Sequence, residues 1–219
     1  MDTEIMDKVE IQEVQGESTE STRTDKVVRD SVIDEITEKI EDLKKEISFL
    51  NGLVEDVTYD SFGRVIDYYE SLLRMTSGER AQSIYGLTST YGLLLLNSTY
   101  DVAVKEIFRK RFSNSLNDRQ NIQYYLGEII DNKILNKHMT NIKHKQIKDT
   151  FSLSIDNQDS ELQRSITIIN DLIETRNKIA HGLETSTKGH NDLIQALKSV
   201  VYYLNWYSDE LLGKFPQNE

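Results

Sequence analysis

Hydrophobic residues recur at helical spacing along most of this chain. The most regular stretch alternates spacings of three and four through three heptads, with Glu and Lys on its flanks. Its apolar positions are Ile33, Ile36, Ile40, Leu43, Ile47, Leu50 and Val54. This a/d stripe predicts a helix over residues 30–56. Two interpretations stay open: a helix packed lengthwise on its own domain, or a coiled coil with a second chain or another partner.

The pattern predicts further helices downstream. Asp60-Ser61 has the residue types of an N-cap, and Ser77-Gly78 interrupts the helix that would follow it. Residues 150–154 are predicted to be extended or loop. Gly182 suits the C′ position that ends a helix. The remaining helices are predicted at about 79–112, 118–137, 159–181 and 191–212.

Composition supports a helical fold. The single proline, Pro216, lies near the C-terminus, and only ten glycines are present, so the turn residues of a multi-stranded fold are scarce. The absence of cysteine excludes disulfides and zinc sites that need sulfur. We find no secretory signal and no apolar run long enough to cross a bilayer, so we expect a cytoplasmic protein without membrane contact.

Charge is distributed unevenly. The net charge is −11, and residues 1–60 alone hold 18 Asp/Glu against 7 Lys/Arg, a balance of −11. Residues 105–148 are locally basic, with ten Lys/Arg and four Asp/Glu. Residues 1–29 contain no aromatic residue, so we expect a flexible acidic arm that either occludes a basic cleft or only improves solubility. The expected organisation is an arm at 1–29, a heptad-patterned helix at 30–56 and a helical domain at 57–215.

One helix carries polar residues where core residues are due. Its apolar stripe runs through Leu162, Ile166, Ile169, Leu172 and Ile173. The next inward turn holds Arg176 and Asn177, which need partners if they are buried. One interpretation is an internal salt bridge followed by an ordinary helix end, at which His181 complements the helix dipole. The other is a functional site.

The residues from Arg176 to Gly182, Arg-Asn-Lys-Ile-Ala-His-Gly, resemble the Arg-x4-His signature of the HEPN superfamily, and especially its antiphage and toxin–antitoxin ribonucleases. The segment from Leu93 to Lys105 is similar to an earlier helix of those proteins. It departs at Asp101, where Glu is more usual, and at Ser98-Thr99, where Ala-His is more usual. The resemblance covers about residues 79–212. It implies an all-α, HEPN-like helical bundle.

The resemblance also implies a chemistry. RNA carries its own nucleophile, the 2′-OH, so cleavage requires proton transfer and stabilisation of the phosphorane but no metal ion or other cofactor. His181 is the expected general acid/base, because imidazole titrates near neutral pH. Arg176 is expected to clamp the phosphorane and Asn177 to position it or His181. Asp101 is expected to support the site by pairing with Arg176.

Helix geometry raises a question about this site. Residues five apart lie about 140° apart around a regular helix, so Arg176 and His181 do not meet by spacing alone. Either Arg176 curls round the helix, the helix loosens at Gly182, or two chains share one site. The resemblance implies the third arrangement, a homodimer.

RNA is the expected substrate, cleaved within a defence or toxin module. The residues expected to bind RNA are Lys105, Arg109, Lys110, Arg111 and Lys178. Residues 33–54 are a possible docking segment for an antitoxin or a defence-complex partner. A metal site at His138 and His144 is the weaker interpretation of that pair, whose spacing is poor. The alternative function is a non-catalytic HEPN-fold module for nucleotide binding or protein assembly.

Overall fold

The computed structural model describes residues 33–75, 79–116, 126–135, 141–153, 159–182 and 188–215. The chain divides into two compact units, residues 1–39 and residues 40–219. In the first unit, the described residues 33–39 are helical, and Lys39 forms an ion pair of 2.6 Å with Glu35 one turn earlier. The predicted acidic arm at 1–29 lies outside the described residues.

The second unit is built from helices. Residues 40–46 are helical, Ser48–Leu50 form a 3-10 turn, and residues 126–129 are helical and continue into a π-helical stretch at Ile130–Leu135. The described residues contain no strand, which confirms the all-α prediction. The five longer helices are α1 (Asp56–Arg74), α2 (Glu79–Ser115), α3 (His144–Phe151), α4 (Ser160–Ala180) and α5 (His190–Lys214).

The heptad stripe is buried where it belongs to the second unit. Its members there are Ile40, Leu43, Ile47, Leu50 and Val54, all less than 9% exposed. This burial favours a helix packed on its own domain over a coiled coil. The second unit also begins at Ile40, so it contains part of the segment that we expected to stand before the domain at 57–215.

Helix α1 begins four residues earlier than the predicted N-cap at Asp60-Ser61, and that prediction was wrong. The helix starts at Asp56 because a carboxylate from α2 holds its first turn. Glu106 accepts one hydrogen bond from the backbone N–H of Glu55 and one from the hydroxyl of Thr58, both 3.0 Å long. Such long-range capping satisfies donors that a helix start leaves open.

The core lies where α2 packs against α1 and α5, and where α5 packs against α4. Helix α2 lies close to α5 at Gly92, where a Cβ atom would lie 2.8 Å from Cδ2 of Leu193. The fully buried large side chains here include two aromatic residues that pack edge to face, Tyr100 and Tyr203. The inward face of α2 is formed by Leu93, Leu96, Tyr100, Ala103, Val104 and Ile107.

Most other helix predictions are confirmed within a few residues. Helices α2, α4 and α5 match the predictions at 79–112, 159–181 and 191–212. Residues 126–135 support part of the helix predicted at 118–137, whose two ends lie outside the described residues. The predicted loop at 150–154 was wrong for Thr150 and Phe151, which end α3. No helix in the described ranges is both long and apolar enough to cross a membrane.

Candidate functional site

The Arg176–Gly182 segment forms the C-terminal end of α4. Ala180 is the last helical residue, His181 is the C-cap, and Gly182 adopts the left-handed φ of 65°, which confirms its predicted C′ role. The backbone N–H of His181 donates to the carbonyl of Asn177 at 3.1 Å. The imidazole of His181 is exposed and makes no hydrogen bond within the part of the chain that the structure describes. It is therefore accessible to a ligand.

The side chains of Arg176 and Asn177 are hydrogen-bonded to each other. Nη1 of Arg176 donates to Oδ1 of Asn177 at 3.0 Å, and both side chains are half-buried. The guanidinium is therefore neither sealed in the interior nor wholly in solvent. The remaining donors of this guanidinium make no hydrogen bond to the described residues, so they are available to an anion.

Asp101, on α2, holds a loop. Its Oδ1 accepts a 3.0 Å hydrogen bond from the backbone N–H of Ile142, and the backbone N–H of Asn141 also donates to this carboxylate. Arg176 lies close enough to interact electrostatically with Asp101, but the two form no ion pair. The pairing expected from the sequence is therefore replaced by backbone contacts.

Burial is the main influence on Asp101. It raises the pKa of this carboxyl above its ordinary value, while the Ile142 N–H and the charges of Lys105 and Arg176 act in the opposite direction. The net effect is a raised pKa. Two cations thus lie around one partly desolvated carboxylate, at the place where α2 approaches the end of α4.

The sequence analysis did not predict that residues 141–143 contact both α2 and α4. Asn141 adopts a positive φ of 53°, a conformation that asparagine tolerates better than most residues. Lys143 reaches Glu174 on α4 with an ion pair of 3.1 Å. The segment is thus fastened to α2 at one point and to α4 at another, two residues before Arg176. In the sequence, Asn141 was only a weak local signal for this backbone conformation.

The basic residues of α2 do not share one face. On a regular helix, Lys105 lies about 40° from Asp101, whereas Lys110 lies about 180° from it. Arg109 forms a 2.6 Å ion pair with Asp131, and Arg111 donates to the Ser208 hydroxyl on α5 at 2.7 Å. Lys105 is therefore the member of this set that lies beside the Asp101 and Arg176 cluster. Lys178 is exposed on α4.

A groove of about 390 Å³ lies on the other side of α2. Residues 52–55 form one wall, and the opposite wall is formed by Glu106, Arg109, Lys110, Ser113 and Asn114. Its lining mixes both charge signs. Since Lys110 points away from Asp101, this groove is separate from the cluster around Arg176.

His144 is placed as a core residue. It is 7% exposed, and its Nδ1 lies 2.9 Å from the hydroxyl of the buried Tyr203. Burial lowers the pKa of this imidazole, and the charge of Lys148 adds to the effect. His138, the other member of the metal pair considered above, lies outside the described residues.

The motif residues are thus close in sequence but only partly joined in space. The structure brings Arg176 together with Asn177 and places Asp101 and Lys105 nearby. Within the described residues, no hydrogen bond joins the side chain of Arg176 to that of His181. Helix α4 ends at Ala180, just before His181. The end of the helix leaves the imidazole of His181 in solvent. Because residues five apart lie about 140° apart around a regular helix, a phosphate touching both groups needs a rotated Arg176 side chain or a second chain.

Comparison with protein families identifies a match over most of the chain. The family described as RiboL-PSP-HEPN matches residues 31–212, which includes the heptad segment from Ile33 to Val54. The resemblance seen in the sequence began only at about residue 79, so the family extends further toward the N-terminus than that motif-based comparison indicated. No curated protein and no solved structure matches the chain.

Proposed function

The chain belongs to the RiboL-PSP-HEPN family, and on that premise we propose that it is a metal-independent endoribonuclease that acts as a dimer in a defence or toxin module. The observation that carries the proposal is the end of α4. There an exposed imidazole follows a guanidinium that is held by a neighbouring amide and whose other donors have no partner among the described residues. These are the groups that transesterification of RNA requires.

The proposed reaction is an internal displacement. His181 removes the proton of a 2′-OH, the 2′ oxygen attacks the adjacent phosphorus, and the bond to the 5′ oxygen breaks. His181 of a second copy delivers a proton to the departing 5′ oxygen. The products are a 2′,3′-cyclic phosphate and a 5′-OH, and no other reactant is consumed.

The contacts of Arg176 suggest a separate role for each residue of the proposed site. Asn177 uses its carbonyl oxygen to hold Nη1 of Arg176, so we assign it to orienting the guanidinium. Its amide nitrogen has no partner among the described residues and can donate to a phosphate oxygen. The guanidinium stabilises the charge that grows on the phosphorane oxygens. Lys105 and the exposed Lys178 are the basic residues best placed to contact the flanking RNA backbone.

The test is incubation of the purified protein with total RNA in EDTA. Wild type is expected to cleave, and His181→Ala and Arg176→Ala are each expected to lose about 10²- to 10⁴-fold in rate, the range typical of general acid–base groups. Arg164→Ala is the matched control, since Arg164 is an exposed arginine on the same helix. End-group analysis should find 2′,3′-cyclic phosphates.

The same assay distinguishes a nuclease from the alternative function, a non-catalytic binding module. A protein that binds RNA or nucleotide in EDTA without cutting it, and that keeps this binding in His181→Ala, would be a non-catalytic module. Cleavage that survives both motif substitutions would also refute the assignment of the site, because the activity would then come from elsewhere.

A further inference from the structure

Lys143 lies beside the candidate site, in the segment that Asp101 anchors. The backbone N–H of the preceding residue, Ile142, donates to Asp101 at 3.0 Å, and the backbone N–H of Lys143 donates to the side chain of Gln146 at 2.7 Å. The backbone of Lys143 is therefore held on both sides, immediately before α3. Its ammonium nitrogen lies 3.1 Å from a carboxylate oxygen of Glu174 on α4.

Glu174 shares a face of α4 with two residues of the motif. On a regular helix, Asn177 lies about 60° from Glu174, and position 181 lies about 20° from it, two turns further on. The rise along the helix between Glu174 and His181 is about 10 Å. An RNA strand whose scissile phosphate lies at His181 therefore has a neighbouring phosphate within reach of Lys143.

The ion pair between Lys143 and Glu174 is easily exchanged. The side chain of Lys143 is 43% exposed and that of Glu174 is 60% exposed. Ion pairs this exposed contribute little to stability, because water screens the charges and two long side chains lose freedom. A phosphate group carries the same sign of charge as the carboxylate, so it can replace Glu174 at the ammonium of Lys143.

The charges around the site favour an anionic ligand. Lys105 and Arg176 interact electrostatically with Asp101, and Lys143 is paired with Glu174. The Asp101 carboxylate is already engaged by backbone N–H groups. Three cations thus lie around two carboxylates, and this part of the molecule keeps a positive charge although the whole chain is acidic. Such a local charge attracts the phosphates of RNA.

We propose that Lys143 is a phosphate-binding residue of the site and that Glu174 is the carboxylate that covers it until RNA binds. When a strand enters, one of its phosphates displaces the carboxylate, which then turns to solvent. The inference rests on the proposed function, since it names a further contact of the same RNA. It requires RNA binding but not cleavage.

The exchange predicts opposite effects for the two members of one ion pair. Lys143→Gln removes a phosphate contact, so it should weaken RNA binding about 5- to 10-fold at low salt and reduce the salt slope of log K by about 0.7. Glu174→Gln removes the competing carboxylate, so it should strengthen binding about two- to fivefold. An ion pair that serves only the fold would give both substitutions the same sign.

The chain offers a matched control pair. Lys198 and Glu46 form an ion pair with the same 3.1 Å distance, and their side chains are 56% and 40% exposed. Lys198 lies near Glu161 and Arg164, in the first turns of α4 and thus far along the helix from His181. Lys198→Gln and Glu46→Gln should therefore change RNA affinity much less than the substitutions at Lys143 and Glu174.

The measurement is fluorescence anisotropy at several salt concentrations. The probe is a 2′-O-methyl oligouridylate of about twelve nucleotides, within the range of single-strand site sizes. Because this probe has no free 2′-OH, it reports binding without cleavage. In the double variant Lys143→Gln/Glu174→Gln, the gain from Glu174→Gln should disappear. Lys143→Arg, which keeps the charge, should bind like wild type, and circular dichroism verifies that each variant folds.

The outcomes for this contact and for the nuclease are separable. Effects of the same sign at Lys143 and Glu174, a gain from Glu174→Gln that persists without Lys143, or a probe that does not bind each overturn the inference. A protein that binds the probe through Lys143 but never cleaves ordinary RNA supports the contact and ends the nuclease proposal. Cleavage through His181 with probe binding indifferent to Lys143→Gln ends this inference and leaves the nuclease intact.

Discussion

At the scale of single residues, Asp101 shows how a side chain of the candidate site also shapes the fold. Its carboxylate anchors the backbone of residues 141–142. Asp101→Ala leaves these N–H groups without their acceptor and should lower the free energy of unfolding by about 1–3 kcal/mol. Asp101→Asn keeps one accepting oxygen and removes the partly buried charge, so it should lose less than half as much in urea unfolding. Equal losses for the two variants would contradict this role.

His144 gives a pH-dependent prediction. Because burial lowers its pKa in the folded protein, the unfolded chain takes up a proton more readily once the pH falls below about 6.5. The free energy of unfolding should therefore decrease as the pH drops from 7.5 to 5.5. This decrease should be smaller in His144→Asn, whose amide replaces Nδ1 toward Tyr203. Thermal unfolding at pH 7.5 and at pH 5.5 measures this decrease in stability.

At the scale of elements, the crossing of α2 and α5 depends on a missing side chain. A Cβ atom at Gly92 would meet the fully buried Leu193 at 2.8 Å, whereas one at Gly86, on the same helix, meets no atom within 4 Å. Gly86→Ala should therefore raise the free energy of unfolding by about 0.5–1 kcal/mol, the usual gain in a helix. Gly92→Ala gains the same propensity but overpacks the crossing at a cost of about 1–3 kcal/mol.

Denaturant unfolding of both glycine variants measures this difference in the free energy of unfolding. Gly92→Ala should be less stable than Gly86→Ala by the overpacking cost. A Gly92→Ala protein as stable as its control would mean that the two helices separate easily at this crossing.

The helices differ in how accurately the local sequence predicted their starts and ends. Helix α4 was predicted closely because its signals are local: Asp159 accepts from the N–H groups of Glu161 and Leu162 at the start, and Gly182 ends the helix. The start of α1 was missed because its cap is Glu106, about fifty residues away in the chain. Helix α2 was located correctly, but apolar residues also occur on its exposed face, so the sequence did not distinguish core from surface.

At the scale of the whole molecule, the separation of charge along the chain is the main feature. Residues 1–29 hold eight Asp/Glu against four Lys/Arg and are tethered to a body that is neutral from residue 61 onward. If this segment competes with RNA, deleting it should raise RNA affinity at low salt, because a tethered anion has a high local concentration. The difference should vanish at high salt, where such charges are screened.

The control for the deletion is an arm of equal length whose acidic residues are replaced by Asn and Gln. Filter binding of a labelled RNA to the three proteins measures the effect. Unchanged affinity at low salt after deletion would leave the segment with a solubilising role only.

The sequence by itself determined the helical class, the bounds of α2, α4 and α5, and the order Arg176, Asn177, His181 at the end of a helix. These follow from periodicity and capping, which act over a few residues. Only the tertiary structure decided that Asp101 holds the 141–142 backbone, that Arg109 and Arg111 are engaged within the chain, and that one apolar face of α2 stays outside. Those outcomes depend on residues that are distant in sequence and meet only when the helices pack.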